Sequence, residues 1–260
     1  MPNSMPKLTT VTTSWDDGDE ADLRIAEILK ARGLGGTFYV PFAGPGGRVT
    51  LRTHQMHSLC SQGFEIGAHT LSHCTLTQVS PEQAKTEIFA CKRILEDLLG
   101  DEVGMFCYPR GRFDATAVSA VKEAGYRGAR TTRLLSVESS FPSFEMPTTV
   151  QAFPHRPGNY IRNLVRRRQW KSLSHYCREL HRYPNWVQLG KQLFDDALAV
   201  GGVWHLWGHS WEVEALDLWS ELEELLDYVS NRSGVVYASN GETLNRINSW
   251  QGTPALANLV

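Results

Sequence analysis

Two hydrophobic periods take turns along this chain. Short runs rich in β-branched and aromatic residues ("LTTVTTSW" leading to Asp16, then "GTFYV", "FEIGAHT", "GMFCYP" and "YRGARTT") read as strands. Between them, apolar residues recur at helical spacing. Ile25, Ile28 and Leu29 share one face of a helix stopped by Gly33, and "RTHQMHSLCSQG" predicts a helix closed by Gly63. The clearest helix begins at Ser80 as N-cap, with Pro81 in the first helical position and Gln83 completing a capping box. Ile88, Cys91, Ile94, Leu95 and Leu98 form its apolar stripe as far as Gly100. Asp114 caps the helix "ATAVSAVKEA", which Gly125 stops.

The pattern then changes. "PTTVQAF" reads as one more strand, but residues 156–200 carry two helical stretches and little strand character. After them come the strand "GVWHLWGH", a long helix from about Leu216 to Ser230, and the strand "GVVYAS". Strand–helix alternation implies parallel strands joined by right-handed crossovers, hence a (β/α) barrel or an open doubly wound sheet. No G-x-G-x-x-G follows the first strand and there is no Walker loop, which argues against the nucleotide-binding versions. With no repeat, low-complexity segment or linker, residues 1–260 read as a single domain with a helical insert at about 156–200.

Composition refines this picture only slightly. A hydrophobic content of 42% against 21% charged residues is that of a globular α/β protein, and the net charge of −2 gives no bias toward nucleic acid. The first residues, "MPNSMPKLTT", lack the pattern of a signal peptide, and no run of 18 apolar residues predicts a membrane span. Five cysteines without a C-x-x-C pair fit a reducing compartment, so the expected location is cytoplasmic.

In parallel α/β folds, reactive groups gather at the carboxyl ends of strands. The first predicted strand ends in "SWDDG" (Asp16, Asp17), the third in "GAHTLSH" (His69, His73), the fourth in "YPRGRF" and the late one in "VWHLWGHSWE" (His209). One Asp and two His suit a divalent ion with open positions, typically Zn²⁺, with Fe²⁺ or Co²⁺ as alternatives. Such an ion brings the pKa of water down to about 7 and polarises a carbonyl. A second carboxylate could then take a proton and His209 could give one to a leaving amine, the parts needed to hydrolyse an amide or ester. His205 shares the face of His209 but lies deeper, where a hydrogen-bonded core histidine is expected. Among Trp15, Trp204, Trp207 and Trp211, the last is expected nearest to substrate.

Taken together, these motifs resemble those of the polysaccharide deacetylases (the NodB-homology, carbohydrate esterase family 4 enzymes). "SWDDG" is similar to the family's T-F-D-D-G, "HTLSH" to H-[ST]-x-x-[HS], "YPRGRF" to R-x-P-Y-G-x-[YF], and "HLWGH" to L-x-L-x-H, over about residues 8–130 and 200–240. The resemblance implies an irregular (β/α)7-type barrel and a metal-dependent deacetylase. It implies Asp16 as general base, Asp17, His69 and His73 as metal ligands, and His209 as general acid. It also implies a groove lined by Tyr108, Pro109, Arg110, Gly111 and Phe113 that helps to hold the reacting oxygen. Two departures stand out. Cys107 occupies the place of the third motif's arginine, which Arg110, Arg112 or Arg130 would have to replace. The family's Asp-Trp fourth motif is absent from "ARTTRLLSVESS", leaving Glu138 and Glu212 as candidate partners for His209.

Residues 156–190 add eight Lys and Arg against a single acid, Glu179. Ile161, Leu164, Val165, Leu173, Tyr176, Cys177 and Leu180 supply an apolar helical stripe. This insert reads either as an amphipathic segment with a solvated basic face or as a receiver for an anionic carrier, with Arg166, Arg167 and Arg168 as contacts. The carrier would be a nucleotide diphosphate or a lipid pyrophosphate, and the same patch could touch a membrane surface. The expected function is removal of an N-acetyl or other N-acyl group from an amino sugar during assembly of a surface polysaccharide such as O-antigen. The alternatives are deacylation of a small non-sugar amide or ester, and a non-catalytic carbohydrate-binding relic of the fold. The sequence does not specify an oligomeric state.

Overall fold

The computed structural model describes residues 8–251. Its strands are β1 (Thr9–Asp16), β2 (Thr37–Val40), β3 (Glu65–Ala68), β4 (Met105–Cys107), β5 (Gly128–Arg130), β6 (Val150–Gln151), β7 (Val203–Gly208) and β8 (Val235–Tyr237). The helices are α1 (Asp22–Ala31), α2 (Thr53–Ser61), α3 (Pro81–Leu99), α4 (Ala115–Glu123), α5 (Pro157–Arg166), α6 (Trp170–Arg178), α7 (Trp186–Val200), α8 (Ser210–Ala215), α9 (Trp219–Val229) and α10 (Asn240–Gln251). All strand pairings are parallel, in the order β5-β4-β3-β2-β1-β7-β6, with β8 beside the first half of β1. The chain from Met146 to Gln151 closes the circuit. Met146 N–H donates to Ala129 O (2.9 Å) on one side, and Thr149 N–H donates to His205 O (3.0 Å) on the other. The result is the expected irregular barrel.

The helices cover the outside of the sheet because their apolar stripes have nowhere else to go. In α1 the stripe is Ile25, Ala26 and Leu29; in α3 it is Ala84, Ile88, Cys91 and Leu95. Ser80 Oγ accepts from Gln83 N–H at the start of α3, and Gly100 ends that helix in the left-handed conformation. Two expectations need correction. The 156–200 segment holds three α-helices rather than two, because Arg168 at φ 55° and then Pro184 interrupt it. Its apolar stripe is also narrower: Tyr160, Leu164, Tyr176 and Leu180 are buried, while Ile161, Val165 and Cys177 face solvent. The helix expected at about 216–230 is present as α9, which follows the short helix α8 after a turn in which Asp217 takes φ 50°.

The inside of the barrel differs from its outside. Outward residues of β1 and β7, such as Trp15, Trp204 and Leu206, join the large apolar core. Inward residues form a polar column instead. Thr12 Oγ1 and Arg130 Nη2 donate to Asn240 Oδ1 (3.0 and 2.7 Å), and Asn240 Nδ2 donates to Tyr39 Oη (2.9 Å). One layer up, His205 is buried between Thr148 Oγ1 (2.7 Å) and Ser14 Oγ (3.0 Å). Burial, with the nearby charge of Arg130, keeps its pKa well below the usual histidine value. Gly67 is required in this column, since a Cβ there would lie 2.4 Å from the Tyr39 ring.

Asn240 is thus the hub of the column. Asn240→Ala leaves the buried Arg130 guanidinium short of an acceptor, with Thr12 and Tyr39 unpaired. Replacement is expected to cost about 2–4 kcal/mol, read as a lower urea midpoint with an unchanged m-value.

Candidate active site

Side chains alternate across a strand, so consecutive residues such as Asp16 and Asp17 would normally point to opposite faces. Here β1 ends at Asp16, and Asp17 adopts φ 80°, which swings its carboxylate back over the barrel mouth beside that of Asp16. Thr70 (φ 65°), His73 (φ 54°) and Arg110 (φ 57°) are also left-handed. Strained non-glycine backbone therefore clusters around one cleft, as it does at functional sites generally. The loop carrying His73 is tied to α3, where Glu87 accepts from Ser72 N–H (2.8 Å) and Ser72 Oγ (2.6 Å).

The cleft has a volume of about 490 Å³, and Asp16, Asp17, His69, His73, Trp207, His209 and Trp211 form its floor. His69 is buried and donates through Nδ1 to Cys107 O (2.8 Å), which leaves Nε2 directed at the carboxylates. Asp17 Oδ1 lies 3.2 Å from His73 Nε2 and 3.8 Å from His69 Nε2. Burial works to raise the pKa of Asp17, but contact with His73 and the charges of His69 and His209 outweigh it and hold the carboxyl well below its usual range. Burial pushes His69 down, favouring the neutral imidazole that a metal requires.

Asp17, His69 and His73 place one donor atom each within 4.8 Å of one another, and so do Asp16, His69 and Cys107. The first set fits a divalent ion better. Oδ1 of Asp17 and Oδ1 of Asp16 are both buried without a hydrogen-bond partner, an arrangement that a cation would relieve in either set, so the third donor decides. In the second set, burial and then the charge of Asp16 push the Cys107 thiol well above its usual pKa, so it stays protonated and is a poor ligand.

Asp16 is held from two sides. Trp207 Nε1 donates to its Oδ2 at 2.8 Å and the Cys107 thiol does so at 3.3 Å. The arginine expected on this carboxylate is not needed: Arg130 directs its hydrogen bonds to Pro147 O and Asn240 instead. Trp211 Nε1 donates to Asp17 Oδ2 (2.9 Å), and the guanidinium of Arg48 lies 3.7 Å from the centre of the Trp211 ring. His209 stands 4.0 Å from Asp17 Oδ2, and its Nδ1 meets Glu212 Oε2 at 2.7 Å. Burial opposes the charge on His209, but Glu212, aided by Asp16 and Asp17, raises its pKa to about 9. Gln151 continues the chain outward, donating to Glu212 (3.3 Å) while its Oε1 meets His155 Nε2 (2.7 Å).

The third motif behaves differently from expectation. Of Tyr108, Pro109, Arg110, Gly111 and Phe113, only Arg110 lines the cleft. The Tyr108 ring is buried against Phe113 and Phe106, with its hydroxyl on Phe144 O (3.2 Å). Pro109 and Gly111 are buried, and Gly111 packs against Thr132. The short β4 and tight turn at Pro109–Gly111 aim these side chains into the wall rather than at the opening. Arg166 and Arg167 reach the cleft, but Arg168 lines a neighbouring pocket because its left-handed backbone turns it away. Cys107, Trp207, Gln151, His155 and Arg48 were not anticipated as site residues. Alternation along β7 could have exposed Trp207, which shares the face of His205 and His209. Cys107 and Gln151 end strands of only three and two residues, and Arg48 and His155 lie in loops, so none of these has a readable register.

Residues 4–129 match the family model described as polysaccharide deacetylase. Over 128 residues the chain is 26% identical to YxkH of Bacillus subtilis, a provisionally named polysaccharide deacetylase, covering 49% of this chain and 46% of that protein. Over 119 residues it is 26% identical to a peptidoglycan-N-acetylglucosamine deacetylase of Bacillus cereus, covering 45% and 54% respectively. The chain thus spans about half the length of these curated relatives. A provisionally named polysaccharide deacetylase of Mycobacterium smegmatis superposes with a TM-score of 0.69 at 15% identity, covering 98% of this chain and 95% of that one. The chitin deacetylase of Colletotrichum lindemuthianum gives a TM-score of 0.56 at 16% identity, over 90% and 86%. These superpositions establish a shared barrel.

The two donor sets make opposite demands. His69→Ala/His73→Ala is expected to abolish stoichiometric divalent metal in elemental analysis, whereas Cys107→Ala retains it. Metal lost from the Cys107 variant would transfer the site to the second set.

Proposed function

Because the chain belongs to the polysaccharide deacetylase family, we propose that it is a metal-dependent hydrolase that removes an N-acetyl or related N-acyl group from an amino sugar. One observation carries this reading: Asp16, Asp17, His69, His73 and His209 converge at the mouth of one parallel barrel, each with a reactive atom facing the same cleft. Asp17, His69 and His73 would hold the ion, with zinc favoured by the donor set and cobalt or iron as alternatives. When bound, such an ion polarises the acyl carbonyl and acidifies water.

The remaining chemistry falls to the chain itself. Asp16, steadied by Trp207 and Cys107, takes the proton from the attacking water at its carboxylate. His209, kept protonated by Glu212, hands a proton to the departing amine as the C–N bond breaks. A carbohydrate-binding relic has no need of an acid held charged by a dedicated carboxylate, and this pair favours catalysis. The same arrangement would cleave an ester or a small amide, so the amino sugar rests on the family. We read the barrel and the 156–200 helices as one unit acting in surface-polysaccharide assembly. The five free cysteines support a reducing compartment. Among the described residues, no helix is long and apolar enough to cross a membrane.

The direct experiment is acetate release by metal-loaded protein from N-acetylated amino-sugar substrates. Asp16→Asn should keep the metal and lose about 10²–10⁴-fold in turnover, because an amide accepts no proton. A variant within a few-fold of wild type removes Asp16 from the role of base.

Glu212→Gln tests the acid. A general acid works only while protonated, so activity falls as pH rises through the His209 pKa. Without the Glu212 carboxylate that pKa drops, and the alkaline limb of the rate profile is expected to move to lower pH. An unmoved limb assigns the acid elsewhere.

A further inference from the structure

We propose, on the deacetylase reading above, that the substrate is anionic: an acylated sugar bearing a phosphate or pyrophosphate ester held by Arg110, Arg162, Arg166 and Arg167. These arginines line the same cleft as the reactive carboxylates, but on its wall rather than its floor.

Helix α5 carries two of them, Arg162 and Arg166. Its buried stripe is Tyr160 and Leu164, and the face carrying Asn159, Arg162, Asn163 and Arg166 turns into the cleft, each residue three or four positions from another. Arg167 follows, half-buried and anchored by Nη2 on Thr132 Oγ1 (2.9 Å). Arg110 comes from the turn after β4, with its backbone left-handed at φ 57°.

These charges are not neutralised by the protein. Among the described residues, none of the four arginines is ion-paired to a carboxylate. The only carboxylates lining the cleft are Asp16 and Asp17, whose neighbours are the histidines, the two indoles and the Cys107 thiol. Burial draws the Arg167 pKa down to about 10, and Arg166, Arg133 and Arg112 all push it the same way. Guanidinium groups crowded in this manner repel one another until an anion joins them, and their planar forks match phosphate oxygens two at a time.

An uncharged glycan would use stacking and neutral hydrogen bonds, and would leave this repulsion in place. The wall also continues past the cleft. Arg167 is shared with a second pocket lined by Arg168, Lys171 and Trp170 together with Glu138 and Glu145, and Trp170 is 60% exposed. That pocket offers room for whatever the phosphate is attached to.

The test reads anion binding apart from catalysis. Inorganic pyrophosphate is titrated into the full, metal-loaded chain by calorimetry. Arg162→Gln/Arg166→Gln is expected to weaken binding by about tenfold or more, and Arg110→Gln, on a different element, by several-fold. Arg178→Gln, which lies outside the cleft, should leave it unchanged. Absent binding, or binding equally strong in the arginine variants, overturns the proposal.

Acetate release is then compared for a nucleoside-diphosphate N-acetylhexosamine, a lipid-pyrophosphate N-acetylhexosamine and an unphosphorylated N-acetylhexosamine oligomer. The double variant should raise KM about tenfold for the preferred phosphorylated substrate and spare the neutral one, and the preferred form identifies the carrier. Equal efficiency on neutral and phosphorylated sugars overturns the anion site and leaves the deacetylase standing. Arginine-dependent pyrophosphate binding with no release from any substrate does the reverse.

Discussion

Two carboxylates on consecutive residues, both nearly excluded from solvent, dominate the physics of this molecule. Asp16 is 2% and Asp17 4% exposed. Like charges brought close together in a site shielded from water repel by several kcal/mol, before any cost of leaving water. The surroundings answer that demand one atom at a time. Two indole N–H groups and a thiol donate to the outer oxygens, and three histidines stand within 4.0 Å. The two inner oxygens remain without a hydrogen bond. A cation completes such an arrangement better than another side chain would.

That demand explains the polar interior. A barrel filled with leucine and valine would be easier to pack, but it could not support charges at one end. Here the polarity is layered, from Asn240 and Arg130 through Ser14, His205 and Thr148 to the carboxylates. The lower layers pair most of their donors and acceptors with one another, and the unpaired oxygens are left at the carboxylate end. The apolar work is moved outside, into the interface between sheet and helices, where Trp15, Trp204 and Phe194 are fully buried.

Much of this was legible in the sequence, for identifiable reasons. Strand endings mark reactive positions in a parallel sheet, so Asp16, Asp17, His69, His73 and His209 could be picked from alternation and motif together. His205 could be told from His209 by depth along one strand. What stayed hidden depends on backbone turns that periodicity does not encode. The left-handed Arg168 separates α5 from α6 in a segment that reads as two helices and holds three, and the turn at Pro109–Gly111 leaves Tyr108 and Phe113 in the wall. That Cys107 stands where the arginine was expected was legible, but that Trp207 joins it on Asp16 was not, because the two residues lie on β4 and β7 and meet only there.

Floor and wall are made from different stretches of chain. Most of the floor belongs to residues 4–129, the part that matches the family, while the arginine-bearing wall, Arg110 apart, is the helical segment that follows β6. Tyr160, Leu164, Tyr176 and Leu180 of that segment are buried in the same apolar core as the sheet and its covering helices. In evolutionary terms this is a divisible inheritance. The segment can be lengthened, recharged or exchanged while the residues proposed for bond cleavage stay where they are, so a change of diet need not be a change of chemistry.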